Sequence, residues 1–269
     1  MSLAPLADTL AQARVLERQR IEAPDVLARV APLVDRLIDA LEGAVAGRPP
    51  QRFELAGLEP AERHLLDGLL GQGEVEARLT PPEGPPLRVV EAVMPGLWRL
   101  TRGDHGLPDT PPPEEWLEVG EVPAEVDAYR PGRPGPRLSA EVAGATLPEG
   151  TMNARPVLEE IAAHATDWHP GRPNHVINLS HLPMSEADMT FLWQQLGDGA
   201  LKLRSAGYGA CEIRAMGVDH VWAVEFFNAS GQSLLHTLEV GQVPVAARAT
   251  VEDLIDSARR LADIKSAYL

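Results

Sequence analysis

The sequence contains one cysteine, Cys211, among its 269 residues. A single cysteine cannot form a disulfide within the chain. One thiol is also far short of the four ligands that hold a structural zinc ion or an iron–sulfur cluster. We therefore expect neither a disulfide framework nor a thiolate-bound cluster, and the sequence predicts no cofactor.

Basic residues are also scarce. The chain has 24 lysines and arginines against 39 aspartates and glutamates, which gives a formal net charge of −15. No stretch collects enough lysine or arginine to neutralise a phosphate backbone. We therefore expect no nucleic-acid partner.

Long apolar runs are missing. Nowhere do about 18 apolar residues follow one another, as a membrane-spanning helix would need. The first eight residues have no basic start and no uninterrupted apolar run, unlike a secretion signal. We therefore expect a cytoplasmic protein without membrane insertion, whose 44% hydrophobic residues are enough to build a core.

Two parts of the sequence match each other in order. Residues 117–123 and 238–244 differ at one position: Leu-Glu-Val-Gly-Glu-Val-Pro against Leu-Glu-Val-Gly-Gln-Val-Pro. Upstream of these segments, Trp98 matches Trp222. The sequence therefore predicts an internal duplication of one mixed α/β unit.

Each copy, over about residues 51–125 and 175–246, is predicted to contain a short strand, a helix and four mostly antiparallel strands. The predicted fold class is α+β, completed by N-terminal helices, a bridging helix and a C-terminal helix. The predicted segments are an N-terminal helical segment (1–48), a diverged first repeat (49–130), a Pro- and Gly-rich linker with the bridging helix (131–174), and a second repeat with the C-terminal helix (175–269).

The N-terminal segment shows helical periodicity. Residues 24–46 place apolar side chains on one helical face, between Pro24 at the start and Gly47 just past the end. Residues 3–10 indicate a shorter helix upstream. The apolar stripe over 24–46 comprises Val26, Leu27, Val30, Leu33, Val34, Leu37, Ile38, Leu41 and Val45.

Two further helices are predicted in the second half. The bridging helix follows Asn153, which is the predicted N-cap. The last helix, over about residues 250–266, begins with Thr250 and Asp253, a pair that resembles a capping box. We expect its apolar stripe to pack on the sheet of the second repeat.

The second copy has a turn that the first copy lacks. Residues 205–211 read Ser-Ala-Gly-Tyr-Gly-Ala-Cys, whereas residues 80–86 of the first copy are rich in proline. Glycines on both sides of Tyr208 allow the backbone to approach another chain closely and present the ring as a contact. An ordinary turn between two strands is the alternative interpretation.

Cysteine, histidine and aromatic residues suggest further chemistry. Cys211 is either a nucleophile with a histidine partner or a small buried side chain. Four histidines between residues 164 and 181 recur at separations of five or six, which suits metal ligands on loops or solvated side chains. Trp98 and Trp222 are predicted core anchors. Phe226 and Phe227 are adjacent on a predicted strand and therefore point to opposite faces.

Six stretches of the second half carry a family resemblance. They are residues 152–154, 169–179, 205–211, 221–228, 235–240 and 252–258. Together they cover roughly residues 151–265, and they resemble the C-terminal conserved region of the HupH/HyaF family of hydrogenase expression/formation proteins. The first copy resembles a diverged version of the same region.

The resemblance implies an accessory role in the maturation of a [NiFe]-hydrogenase. The expected protein is a chaperone or scaffold rather than an enzyme, and it would act on the iron–sulfur small subunit precursor, especially under oxygen, alongside other hydrogenase accessory proteins. The resemblance transfers no catalytic residue. Because only the second copy has the glycine–tyrosine turn, we predict a partner-binding surface there, comprising Gly207, Tyr208, Gly209, Cys211, Phe226, Phe227, Asn228, His169 and His175.

Two other interpretations stay open at this point. The first is a metal-handling or thiol-dependent protein that uses Cys211 with His169, His175 or His181. The second is a structural member of an accessory-protein complex that makes its main contacts through the N-terminal helices.

Overall fold

The computed structural model describes residues 23–104, 112–206 and 210–269. The predicted helix over residues 3–10 and the turn residues Gly207, Tyr208 and Gly209 lie outside this part of the chain. The described helices are α1 (Pro24–Val45), α2 (Pro60–Leu70), α3 (Ala124–Asp127), α4 (Gly135–Gly144), α5 (Ala154–Thr166), α6 (Glu186–Leu196) and α7 (Val251–Tyr268). The described strands are β1 (Gln51–Glu54), β2 (Val75–Leu79), β3 (Leu87–Glu91), β4 (Leu97–Arg102), β5 (Glu114–Val119), β6 (His175–Asn178), β7 (Asp198–Ser205), β8 (Ala210–Met216), β9 (Val221–Phe227) and β10 (Ser233–Val240).

This architecture is α+β, as predicted, and its strand pairs are antiparallel. The chain forms two compact units. One comprises the described residues up to Glu74, Leu87–Pro123 and Ala249–Leu269, and the other comprises Val75–Pro86 and Ala124–Arg248. The four segments predicted from the repeat stay a prediction. Among the described helices, none combines the length and apolarity needed to cross a membrane.

The first unit packs three helices against four strands in the order β1-β5-β4-β3. Helix α1 buries the predicted stripe, and Val30, Val34 and Leu37 are completely inaccessible to solvent. Helix α2 contributes Leu65 and Leu69 to the same core. The predicted period of the N-terminal helix is therefore confirmed, because its apolar residues fall on the one face that meets the core.

Helix α7 corrects one expectation. Its capping box is confirmed, since Thr250 Oγ1 accepts the Asp253 N–H at 3.1 Å and Asp253 Oδ2 accepts the Thr250 N–H at 2.9 Å. Its buried residues, among them Leu254 and Leu261, join the core of the first unit with α1. The expected packing on the sheet of the second repeat is wrong, because α4, α5 and α6 fill that apolar core.

The second unit has the strand order β2-β7-β8-β9-β10-β6. Strand β2 precedes the rest of the unit in sequence and pairs with β7, with Ala77 opposite Leu203. Helix α4 was not predicted, because it begins at Gly135 inside a stretch rich in Pro and Gly that indicates a loop. Pro136 is accommodated in its first turn, where a missing N–H costs nothing.

The two repeats share a chain order and a tryptophan contact. Both run strand, helix, four strands, and their first and last strands pair, β1 with β5 and β6 with β10. Trp98 Nε1 donates to the Gly120 carbonyl at 2.9 Å, and Trp222 Nε1 donates to the Gly241 carbonyl at 3.2 Å. Both rings are buried, which confirms the predicted core anchors. A common origin of the repeats stays a prediction.

Candidate functional site

The ends of β8, β9 and β10 hold Cys211, Phe226, Phe227 and Asn228 of the predicted binding surface. His175 lies opposite Val240, at the other end of β10. Cys211 lies opposite Phe226, and Phe226 lies opposite Leu235, so these three side chains share one face of the sheet. Cys211 is buried, whereas Phe226 and Phe227 are partly exposed. Leu234, in the irregular step of β10, has 64% of its surface exposed. This end of the second unit therefore offers apolar surface beside Ser205 and Cys211, which lie opposite each other on β7 and β8.

Asn228 shapes the turn that follows β9. Its Oδ1 accepts hydrogen bonds from the backbone N–H groups of Ser230 and Gln232, at 3.0 and 2.9 Å, and from the Ser230 hydroxyl at 2.7 Å. An asparagine that bonds the backbone ahead of it stabilises a tight turn. The side-chain oxygen of Asn228 is thus bonded within the chain, and the turn that it stabilises directly follows the partly exposed Phe226 and Phe227.

Cys211 is a buried thiol. Burial raises its pKa to about 11, and the neighbouring carboxylates of Glu239 and Glu212 act in the same direction. A thiol with this pKa is protonated at neutral pH and is a poor nucleophile and metal ligand. Within the described residues, Cys211 makes no hydrogen bond to a histidine, and it is not part of the group that could hold a metal ion.

The predicted histidines separate into two kinds. His169 and His181 are exposed; His169 Nδ1 lies 3.2 Å from the Pro170 carbonyl, and His181 Nδ1 lies 3.3 Å from the Asn178 amide. His175 belongs instead to a cluster with His164 and Glu160. The structure therefore does not bring the four histidines together, but it pairs two of them.

The cluster of Glu160, His164 and His175, called the α5–β6 cluster below, joins a helix to a strand. Glu160 and His164 lie four residues apart on α5, and His175 is the first residue of β6. His175 Nε2 lies 2.6 Å from Glu160 Oε1. The two imidazole rings are stacked, with centroids 3.5 Å apart and planes 7° from parallel. Burial, and then the charge of His175, lower the pKa of His164.

Packing explains why these three side chains meet. Helix α5 is held by the completely buried Leu158 and Ile161, and β6 is held by Ile177, which pairs with Leu238. Sequence reasoning missed Glu160. The signal was the spacing of Glu160 and His164, because residues four apart on a helix share a face.

Asp188 is a buried carboxylate that caps two helices. Its Oδ2 accepts the Ser185 N–H at 3.0 Å within the capping box of α6. Its Oδ1 accepts the N–H groups of Met152, Asn153 and Ala154, at 2.8, 2.8 and 2.9 Å. Burial alone would raise the pKa of this carboxyl, but these backbone donors outweigh burial and hold the pKa well below its usual range.

Asn153 lies at the predicted N-cap position of α5, but its side chain is not the acceptor that caps the helix. Its Nδ2 instead donates to the Pro183 carbonyl at 2.7 Å. The charged oxygen of Asp188 supplies the cap from another helix, and an ionised acceptor is stronger there than an amide.

Asn174 ties the start of β6 to the end of β10. Its Nδ2 donates to Glu239 Oε2 at 2.9 Å and to the Gln242 carbonyl at 3.0 Å, and its Oδ1 accepts the Gln242 N–H at 2.8 Å. Asn174 lies in residues 169–179 and Asp188 caps residues 152–154, both stretches that carry the family resemblance. The polar groups of these stretches are thus used to join elements of the second unit.

A row of cations crosses β2, β7 and β8. Arg78 lies opposite Lys202, and Lys202 lies opposite Arg214, so the three side chains project from one face of the sheet. Arg214 pairs with Asp198 at 3.3 Å. Arg78 and Lys202 are exposed, and the described chain provides no carboxylate partner for either of them. Like charges directly opposite one another destabilise a sheet.

Comparison with known proteins decides the family. Residues 151–268 match the family model described as the C-terminal conserved region of the HupH hydrogenase expression protein. The hydrogenase expression/formation protein HupH of Rhizobium leguminosarum bv. viciae is 38% identical over 240 residues, which cover 89% of this chain and 82% of the relative. This chain belongs to the hydrogenase expression/formation protein family.

Other members of this family match to a similar extent. The hydrogenase expression/formation protein HoxQ of Cupriavidus necator is 38% identical over 88% of this chain and 81% of the relative. The hydrogenase-1 operon protein HyaF of Escherichia coli is 33% identical over 87% of this chain and 81% of the relative. A solved hydrogenase expression protein HupH from Thiobacillus denitrificans is 28% identical and covers 44% of this chain and 98% of its own, with a TM-score of 0.40.

Proposed function

We propose that this protein is a non-catalytic accessory protein that binds the immature iron–sulfur small subunit of a hydrogenase during maturation. The observation that carries the proposal is the identity of 33–38% with relatives named as hydrogenase expression/formation or hydrogenase operon proteins. Protection of the bound precursor under oxygen, cooperation with other accessory proteins and a cytoplasmic location are parts of the same proposal.

The chemistry of the second unit supports binding rather than catalysis. The one thiol is buried and protonated at neutral pH, which disfavours a thiol-dependent reaction. Asp188, Asn174 and Asn228 direct their polar groups at backbone atoms of the same unit. The polar groups of these three side chains are therefore occupied within the unit rather than directed at a substrate.

The proposed contact surface is the predicted one on the second repeat. It combines the Gly207–Tyr208–Gly209 turn with the partly exposed Phe226 and Phe227. Leu234, on the neighbouring strand β10, has 64% of its surface exposed and extends this apolar area. Partly exposed aromatic and aliphatic side chains at one end of a sheet are typical of protein-binding surfaces. Asn228 follows Phe227 directly. His169 and His175 complete the predicted set, but His175 lies opposite Val240, at the other end of β10 from Leu234.

A co-purification experiment with the small subunit precursor tests this surface. We expect Tyr208→Ala combined with Phe227→Ala to reduce retention of the precursor at least about tenfold, as loss of interface anchors does. The matched control is Ile255→Ala on α7, which truncates an exposed apolar side chain of the first unit. Equal retention by wild type, the double variant and the control would contradict the proposed surface.

The structure changes how the N-terminal alternative should be tested. Deleting residues 1–47 would remove α1, whose buried face forms much of the first core, and would unfold that unit. Deleting residues 1–22 leaves α1 in place. We expect this shorter deletion to retain the precursor, and loss of binding without loss of folding would favour contacts through the N-terminal segment.

A further inference from the structure

The α5–β6 cluster gathers three groups that bind metal ions in proteins. It comprises the imidazoles of His164 and His175 and the carboxylate of Glu160, and their ligand atoms all lie within 4.8 Å of one another. His175 and Glu160 have 32% and 46% of their side-chain surfaces exposed, so an ion from solution can reach them. The cluster lies at the other end of β10 from Phe226 and Phe227, and it shares only His175 with the residues of the proposed binding surface.

The separations suit a single ion after small side-chain rotations. A tetrahedral zinc ion with bonds of about 2.0–2.1 Å holds its ligand atoms about 3.4 Å apart. His175 Nε2 and Glu160 Oε1 are already 2.6 Å apart, in hydrogen-bonding contact. The stacked rings must turn so that one nitrogen of each faces the ion, because a lone pair lies in the plane of its ring. Rotation about the side-chain bonds of Glu160 and His175, which are partly exposed, would bring their ligand atoms to the remaining distances that a bound ion needs.

We propose that Glu160, His164 and His175 form a binding site for one divalent first-row transition metal ion of the Zn²⁺ or Ni²⁺ type. Imidazole nitrogen suits zinc, nickel and copper, whereas a calcium or magnesium site would be built from oxygen atoms. Three protein ligands leave at least one position for water or for a side chain of a partner. This inference does not depend on the proposed contact with the small subunit.

Two charged side chains near the cluster, Asp167 and Arg172, should change its affinity for a metal ion. The charge of Arg172 lowers the pKa of His164, and the charge of Asp167 raises it. The carboxylate of Asp167 favours a bound cation, and the guanidinium of Arg172 opposes it. Arg172 Nη1 donates to the Asp167 carbonyl at 3.0 Å, which keeps that positive charge close to the site. Removing the Arg172 charge should therefore strengthen metal binding.

The competing explanation is a hydrogen bond that only joins α5 to β6. Glutamine distinguishes the two, because its amide N–H can still donate to Glu160 but an amide is a poor ligand for zinc. His175→Gln and His164→Gln therefore test metal binding with little change in packing. His181→Gln is the matched control, since His181 is an exposed histidine nearby that lies outside the cluster.

The experiment is a titration of the untagged full chain with Zn²⁺ by calorimetry, repeated with Co²⁺ by absorption spectroscopy. We expect one ion per chain with a Kd of about 1–10 μM, equivalent to about −7 to −8 kcal/mol. Each glutamine variant of the cluster should raise the Kd at least about tenfold, Arg172→Ala should lower it, and His181→Gln should leave it unchanged. Thermal unfolding without metal confirms that each variant is folded.

Two results would overturn the site. One is the absence of saturable binding by the wild-type chain at about 1 mM Zn²⁺, far above the expected Kd. The other is equal binding by wild type and a folded variant that carries both His164→Gln and His175→Gln. In either case the cluster is a hydrogen-bonded link between α5 and β6, and the proposed contact with the small subunit is unaffected.

Discussion

The Asp188 carboxylate accepts the backbone N–H of Ala154 at 2.9 Å, at the first residue of α5. The same carboxylate closes the capping box of its own helix with Ser185. One completely buried side chain therefore fixes the start of two helices, and with them Glu160 and His164 further along α5.

Asp188→Ala should destabilise the second unit strongly. It leaves the buried N–H of Ala154 and the partly buried N–H groups of Met152, Asn153 and Ser185 without this acceptor, and we expect a loss of about 2–4 kcal/mol in the free energy of unfolding. Urea denaturation of the variant measures this loss. The control is Asp253→Ala, which removes an exposed capping box from α7 and should cost about 1 kcal/mol. Equal losses would show that the second set of bonds from Asp188 contributes nothing.

Two glycines of α4 should respond in opposite directions to alanine. A Cβ at Gly135 would lie 2.6 Å from the Ala162 carbonyl oxygen, so Gly135→Ala should cost about 1–3 kcal/mol. Gly144 ends the same helix with no atom within 4 Å of its would-be Cβ. Gly144→Ala should be neutral or stabilise by up to about 1 kcal/mol. Thermal unfolding of the two variants checks both signs, and a stable Gly135→Ala would contradict the close packing of α4 on α5.

Mild acid should weaken the fold through two partly buried histidines, His220 and His236. Burial lowers the pKa of His220 and of His236 below the ordinary value. The unfolded chain binds protons as the pH falls through about 6.5, while the folded chain does not, so stability is complete above that pH and decreases below it. Urea denaturation at about pH 7.5 and about pH 5.5 should show this decrease.

A histidine variant isolates this effect. Burial raises the pKa of Glu239, and this group acts in the opposite sense because its protonation favours the folded chain. His220→Gln combined with His236→Gln keeps Glu239 and also His164, whose pKa burial lowers too, and should reduce the dependence of stability on pH without abolishing it. An unchanged slope between the same two pH values would assign the effect to other groups.

Reversing the middle charge of the cation row should stabilise the sheet. Lys202→Glu places a carboxylate between Arg78 and Arg214, and we expect a gain of about 0.2–1 kcal/mol in the free energy of unfolding. Lys202→Gln, which only removes repulsion, should give a smaller gain. High salt should reduce both gains, since exposed charges are screened. A loss of stability in Lys202→Glu at low salt would disprove repulsion within the row.

Several elements were predictable because their cause is local. The stripe of α1 follows from periodicity, and the capping box of α7 follows from two polar residues three positions apart. The buried tryptophans follow from aromatic size. Helix α4 was not predictable in this way. Its first turn is rich in Gly and Pro, and its stability comes from packing Leu138 and Val142 in the second core.

The candidate sites likewise differ in how far they could be predicted from local sequence patterns. The Cys211 and Phe226 pairing follows from strand register, and the strands themselves could be predicted. The α5–β6 cluster could not, because Glu160 and His164 belong to a helix and His175 belongs to a strand. The side chain that accepts the first N–H groups of α5 could not be predicted for the same reason, since Asp188 lies 34 residues from Ala154 along the chain.

By itself the sequence determined the family, the α+β class, the single thiol and the residues that alternate between core and solvent. These depend on residue type and on spacing along the chain. Only the tertiary structure decided that α7 completes the first core, that Asp188 caps α5, and that two histidines and a glutamate meet at the start of β6. Contacts between distant segments depend on which apolar faces other helices and strands already cover. The spacing of residues within one segment does not determine this.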